Sequence, residues 1–207
     1  RSGTLRIANA DGSGETTVPL PPQSVSDPEF SPAGDRIAYV ATGAHQIRIV
    51  NIDGSGQTTV PTGALRFISS PAWINSGRLV FSAFDGTDTE IYAVNTDGSG
   101  LLQMTTNQVP DHYPSISPDG TRLSILSGSG LTWNLIVMNS DGTSPVQIAG
   151  DAVGRGPVWS PDGTLIAYNK RLPGGSVFGV TADPATGVQL SVIGSGPIAQ
   201  SWAPAYE

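Results

Sequence analysis

Nucleophilic catalysis needs a serine or cysteine, a base and an orienting acid gathered in space. The chain has no cysteine, and its only imidazoles are His45 and His112. No Gly-x-Ser-x-Gly elbow accompanies them, and Ser127-Gly-Ser-Gly130 is followed by neither Lys-Ser nor Lys-Thr, so it is not a phosphate cradle. Two histidines far apart in sequence, with no carboxylate at ligand spacing, make a weak metal site. The Asn-x-Asp-Gly-Ser-Gly segments at 9–14, 51–56 and 95–100 carry the first half of a calcium loop. Where such a loop needs its bidentate acid, this chain has Leu20, Thr62 and Thr106. Those segments are read as hairpin turns. A carboxylate pair among the 17 acids stays open, but no residue is singled out as catalytic, and no metal or cofactor is expected. The chemistry that remains is recognition: Asp27, Arg66, Asp111, His112, Tyr113, Trp133 and Arg155 combine both charges with aromatic rings, as a binding surface does.

The elements that must position these residues follow from an internal repeat. Pro157-Val-Trp-Ser-Pro-Asp-Gly163 is echoed by Pro114-Ser-Ile-Ser-Pro-Asp-Gly120, Pro71-Ala-Trp-Ile-Asn-Ser-Gly77 and Pro28-Glu-Phe-Ser-Pro-Ala-Gly34, with a degenerate copy from Gln200 through Trp202. Successive starts lie 43 residues apart. A second marker, usually Asn-x-Asp-Gly, recurs at Asp11, Asp53, Asp97 and Asp141, and as Thr-Ala-Asp-Pro at Asp183. Between the markers lie short β-rich runs, and ahead of each Asp the pairs Leu5/Ile7, Ile47/Ile49, Ile91/Ala93 and Leu135/Val137 alternate with period two. Each repeat is therefore predicted to hold four strands: A at the Pro-x-Trp segment, B after the first turn, C before Asp-Gly and D after it. Asp-Gly supplies the positive φ that a tight hairpin needs. Four antiparallel strands in 40 to 45 residues describe a β-propeller blade.

These motifs resemble the TolB-type propeller repeat, found in bacterial periplasmic and secreted proteins and in the propellers of some serine peptidases. The resemblance covers nearly the whole chain. It departs from the pattern at Ile116, at Ile74-Asn75-Ser76 and at Asp183-Pro184. Five periods of 43 exceed the 207 residues by only about eight, and the N-terminal segment aligns with strands C and D while the C-terminal one aligns with A. The expectation is a five-bladed, all-β propeller with blades over 25–62, 68–106, 111–149 and 154–193. A closing blade would be shared between 1–19 and 198–207.

Composition narrows the function classes. Net charge is −7 with pI near 4.6, and Lys170 is the only lysine among ten basic residues, which argues against nucleic acid and anionic membrane surfaces. No apolar run is long enough to cross a bilayer as a helix. Phe30, Trp73, Trp159 and Trp202 share one repeat position and are predicted to pack between blades, whereas Trp133 is aperiodic and predicted to lie in an exposed loop before strand C. Deviation from the repeat points to function, because a repeated residue serves the blade. The segments before each strand A hold Asp27, Arg66, Asp111-His112-Tyr113 and Arg155, and the B-to-C loops hold His45, Phe84-Asp85, Trp133 and Lys170-Arg171. By resemblance the expectation is a non-enzymatic scaffold in the periplasm or secreted, binding a protein or peptide. A carbohydrate-binding propeller and an accessory propeller detached from a hydrolase are the alternatives.

Overall fold

Every regular element in the computed structural model, which describes residues 4–195, is a β-strand. Strands β1 (Arg6–Ile7) and β2 (Thr16–Thr17) form a two-stranded hairpin. Next, β3 (Val25–Phe30), β4 (Arg36–Ala41), β5 (Gln46–Asn51) and β6 (Thr58–Thr59) pair in chain order. The same order holds for β7 (Arg66–Asn75), β8 (Arg78–Phe84), β9 (Thr89–Asn95) and β10 (Leu102–Gln103). It holds again for β11 (Asp111–Ile116), β12 (Arg122–Ser127), β13 (Trp133–Asn139) and β14 (Val146–Ala152). Last come β15 (Val158–Trp159), β16 (Ile166–Arg171), β17 (Val177–Ala182) and β18 (Gln189–Ser195). The all-β, antiparallel meander architecture is the predicted one, and β14 also pairs with β16 at Ala152 and Lys170, so that β11 to β18 belong to one eight-stranded sheet. The C-terminal part of the expected closing blade lies outside the described residues.

The strands divide between two compact units, one comprising residues up to 87 together with 92–103, the other 88–91 together with residues from 104 onward. In the first, β4 is buried along nearly its whole length because it is covered on both faces. Ile37, Tyr39 and Ala41 pack with Leu5, Val18 and Val50, whereas Ala38 and Val40 point the other way, into a cluster with Ile47, Ile49, Trp73, Leu79 and Phe81. This is the period-two geometry of a strand, written as a continuous apolar run since neither face meets water. Each Val, Ile, Leu or Phe among these side chains contributes about 1.5–3 kcal/mol by leaving water. In the second unit Leu126, Leu135, Val137, Trp159, Ile166, Tyr168 and Val180 form the corresponding core.

The turns explain the repeated carboxylates. At Asn51-Ile-Asp-Gly-Ser55, Asp53 Oδ1 accepts from the Ser55 amide at 2.9 Å and from its hydroxyl at 2.6 Å, while Asn51 Nδ2 donates to Ser55 Oγ. The pattern recurs at Asn95/Asp97/Ser99 and at Asn139/Asp141/Thr143. In the A-to-B turns, Ser117 Oγ donates to Asp119 Oδ1 and Ser160 Oγ to Asp162 Oδ1, each at 2.6 Å. These hydroxyl bonds, with amide bonds from Thr121 and Thr164, hold both carboxyls down at about 2.

The periodic tryptophans act within each unit. Trp73 Nε1 donates to the Glu29 carbonyl at 3.2 Å and Trp159 Nε1 to the Ser115 carbonyl at 3.0 Å, so each indole reaches back one repeat. Arg36 and Arg122 lie over these rings and donate onward to the Ser76 and Gly163 carbonyls. Phe30, predicted to be packed likewise, is instead 50% exposed. The segment expected to supply an inner strand on that side, 198–207, lies outside the described residues.

Candidate functional site

Three inner strands, β3, β7 and β11, break their register at the residue before the repeated proline. Asp27, Ser70 and Tyr113 stand 43 residues apart and hold φ of 50°, 51° and 57°, with the ladder interrupted in β3, β7 and β11 at those points. A following proline bars the right-handed helical region, and a β-bulge takes the left-handed one instead. The fourth position is Gly156, before Pro157. In the first unit two of these bulges are linked, the Ser70 amide donating to Asp27 Oδ2 at 3.2 Å.

Around the bulges sit two aromatic clusters. In the second unit, the His112 ring lies 5.2 Å from Trp133 edge-on and 5.7 Å from Tyr113, and Tyr113 lies 6.5 Å from Trp133. All three are half-buried and remain open to contact on one side. Tyr113 rests on Gly156, where a Cβ would stand 2.5 Å from the Tyr113 Cβ. Burial holds the His112 imidazole below its ordinary value against the opposing pull of Asp111, so it is neutral at neutral pH. In the first unit, Phe67 lies between His45 at 5.1 Å and Phe84 at 5.9 Å, both edge-on. Phe67 is 60% exposed and held at φ 50°, an unusual conformation for a bulky residue.

The structure brings His112, Tyr113 and Trp133 together and sets exposed Arg155 beside Gly156. Asp27 and Arg66 fall in the first unit, both exposed, Asp27 tied to Ser70 and Arg66 preceding Phe67 in β7. Two placements differ from expectation. Trp133 opens β13 and packs on the core of Leu135, Ile148 and Trp159, since its pairing with Ala152 continues the sheet where a loop was predicted. Asp111, expected at the channel mouth, is fully buried, because as the first residue of β11 it pairs with Ser127 and turns inward.

Sequence reasoning missed Phe67, which looks like an ordinary strand residue; only its φ and exposure mark it. It also missed Glu90, whose one signal was an acid directly before the apolar run Ile91-Tyr-Ala-Val94. Glu90 is 1% exposed and accepts from the Thr105 hydroxyl. Elsewhere Lys170 pairs with Asp151 at 3.0 Å, and burial, helped by Asp151, raises the Tyr168 phenol to about 12. Among the described residues no group of three His, Cys, Asp or Glu side chains gathers to hold a metal. The arrangement presents aromatic rings and charge.

Comparison with known proteins agrees with this architecture. The sequence model of the family described as the TolB beta propeller domain matches residues 1–206. The "Protein TolB homolog" of Chlorobaculum tepidum is 33% identical over 84 residues, which is 41% of this chain and 19% of that protein. The crystal structure of TolB from Acinetobacter baumannii superposes with a TM-score of 0.77 at 20% identity, covering 93% of this chain and 49% of that one. A puromycin-hydrolyzing peptidase of Mycobacterium tuberculosis gives 0.70 at 19% identity, covering 89% of this chain and 31% of the peptidase. The chain thus spans about half of the solved TolB, and its match covers under a fifth of the curated relative.

Proposed function

The chain belongs to the TolB β-propeller domain family, and from that premise we propose that it is a non-catalytic binding domain of the bacterial cell envelope, periplasmic or secreted, engaging a protein or peptide. The observation that carries this reading is the half-open cluster of His112, Tyr113 and Trp133 beside Arg155, at positions the repeat does not require. Aromatic rings with an arginine at the margin are the residue types that dominate protein interfaces. The bulge at Tyr113 supports it further: left-handed backbone costs about 1–2 kcal/mol for a non-glycine residue, and such strain gathers at functional positions.

The test is affinity capture from envelope extract with wild type and a Trp133→Ala/Arg155→Ala double variant of unchanged fold. Selective loss of a partner supports the reading, whereas equal recovery of every captured protein rejects this face. Glycan-array binding lost on Trp133→Ala would replace the protein partner with a carbohydrate. A second reading, an accessory propeller of a hydrolase, draws on the likeness to the peptidase. Finding a hydrolase segment in the same reading frame would establish it.

A further inference from the structure

Two buried carboxyl groups, one of them on the residue before His112, are not used by the binding reading. Glu90, near the start of β9, and Asp111, at the start of β11, are 1% and 0% exposed. The connection between the two strands folds over them. Thr105 Oγ1 donates to Glu90 Oε2 and accepts from the Ile91 amide at 2.9 Å. Asn107 Nδ2 donates to Asp111 Oδ2 at 2.7 Å, and Asn107 Oδ1 accepts from the Val109 amide at 2.8 Å. Asp111 Oδ1 is buried with no hydrogen-bond partner of its own. Neither carboxyl forms an ion pair with a basic side chain among the described residues.

Two adjacent carboxylates without a cation cannot both stay ionised in a dry interior. A proton on Glu90 resolves this, since a neutral acid can keep the Thr105 bond and donate to the orphan oxygen. We propose that Glu90 and Asp111 share one proton, Glu90 donating to Asp111 Oδ1, and that this proton is a latch fastening the 104–110 connection to β9 and β11. Asp88, just before β9, adds a third negative charge acting on Glu90, and the His112 imidazole is the titratable group on which Asp111 also acts. Burial, opposed by Thr105 and reinforced by Asp111 and Asp88, raises the Glu90 carboxyl to about 7. The folded state therefore holds this proton more tightly than the unfolded chain. The latch is closed below the ordinary glutamate range and opens as pH rises through neutrality. Opening leaves two repelling charges under the connection and releases the support of His112 and Tyr113, which follow Asp111 directly.

The inference concerns the free chain and stands whatever partner it takes. Amide hydrogen exchange over residues 104–113, corrected for intrinsic rates, tests it at about pH 5.5 and about pH 8.5. Wild type is expected to lose about tenfold protection at the higher pH, while Glu90→Gln, whose amide donates without titrating, shows no such loss. An equal response in both proteins, or none in wild type, overturns the latch. Should Glu90→Gln not fold, the carbon-13 shift of the Glu90 carboxyl in wild type decides: a midpoint near neutrality upholds the shared proton, and one in the ordinary glutamate range overturns it.

Discussion

Tyr113 lies directly over the backbone of Gly156, so close that a Cβ on the glycine would fall 2.5 Å from the Tyr113 Cβ and 3.2 Å from its carbonyl oxygen. The glycine is needed here for space rather than for its dihedral freedom. Gly156→Ala must push the Tyr113 bulge aside, and overpacking of this kind costs about 1–3 kcal/mol. Urea denaturation of the variant is expected to show that loss, together with altered exchange at Tyr113. An unchanged midpoint would mean that the contact is looser than described.

The Trp159–Arg122 pair offers a second measurement. Trp159→Phe keeps a ring but removes the N–H that donates to the Ser115 carbonyl, with an expected cost of about 1 kcal/mol. A double-mutant cycle of Arg122→Ala with Trp159→Leu, which removes the ring, should give a coupling of about 0.5–1 kcal/mol for the cation over the ring. Strict additivity would assign Arg122 only its bond to the Gly163 carbonyl.

Phe67 separates function from stability. Its exposed ring and left-handed φ predict that Phe67→Gly leaves the thermal midpoint unchanged or slightly raised, because relief of about 1 kcal/mol of backbone strain offsets the greater freedom of the unfolded chain. A drop of several degrees in Tm would show instead that the ring packing on His45 and Phe84 matters to the fold.

The A-to-B turns set the acid limit. Asp119 and Asp162 are held at about 2, first by the Ser117 and Ser160 hydroxyls, so the folded state favours their ionised forms. Their contribution is present above the ordinary aspartate range and is lost as pH falls toward 2. Titration by NMR should find Asp162 shifted upward in Ser160→Ala, with Asp119 unmoved. An unshifted Asp162 would remove the hydroxyl from its role.

Much of this architecture is legible in the linear order of residues, because blade formation is local. A 43-residue period, Asp-Gly turns and alternating apolar pairs act over a few residues each, and turn chemistry is the same wherever the turn lies. The repeated aspartates could therefore be recognised as turn residues without coordinates. The identity of Tyr113 as a candidate also followed from its departure from the repeat. Other features needed the third dimension. Trp133 and Asp111 carry no sequence mark of how deeply they pack, and β13 and β11 draw both inward. Glu90 occupies the strand position that Gln46 and Asn134 fill in other repeats, yet its meaning depends on Asp111, 21 residues away and across a connection. Sequence sets the period, the strands and the turns, since those rest on neighbours along the chain. Only tertiary structure decides which carboxyl lacks a cation and which ring rests on a glycine, because burial and contact belong to residues brought together from different strands.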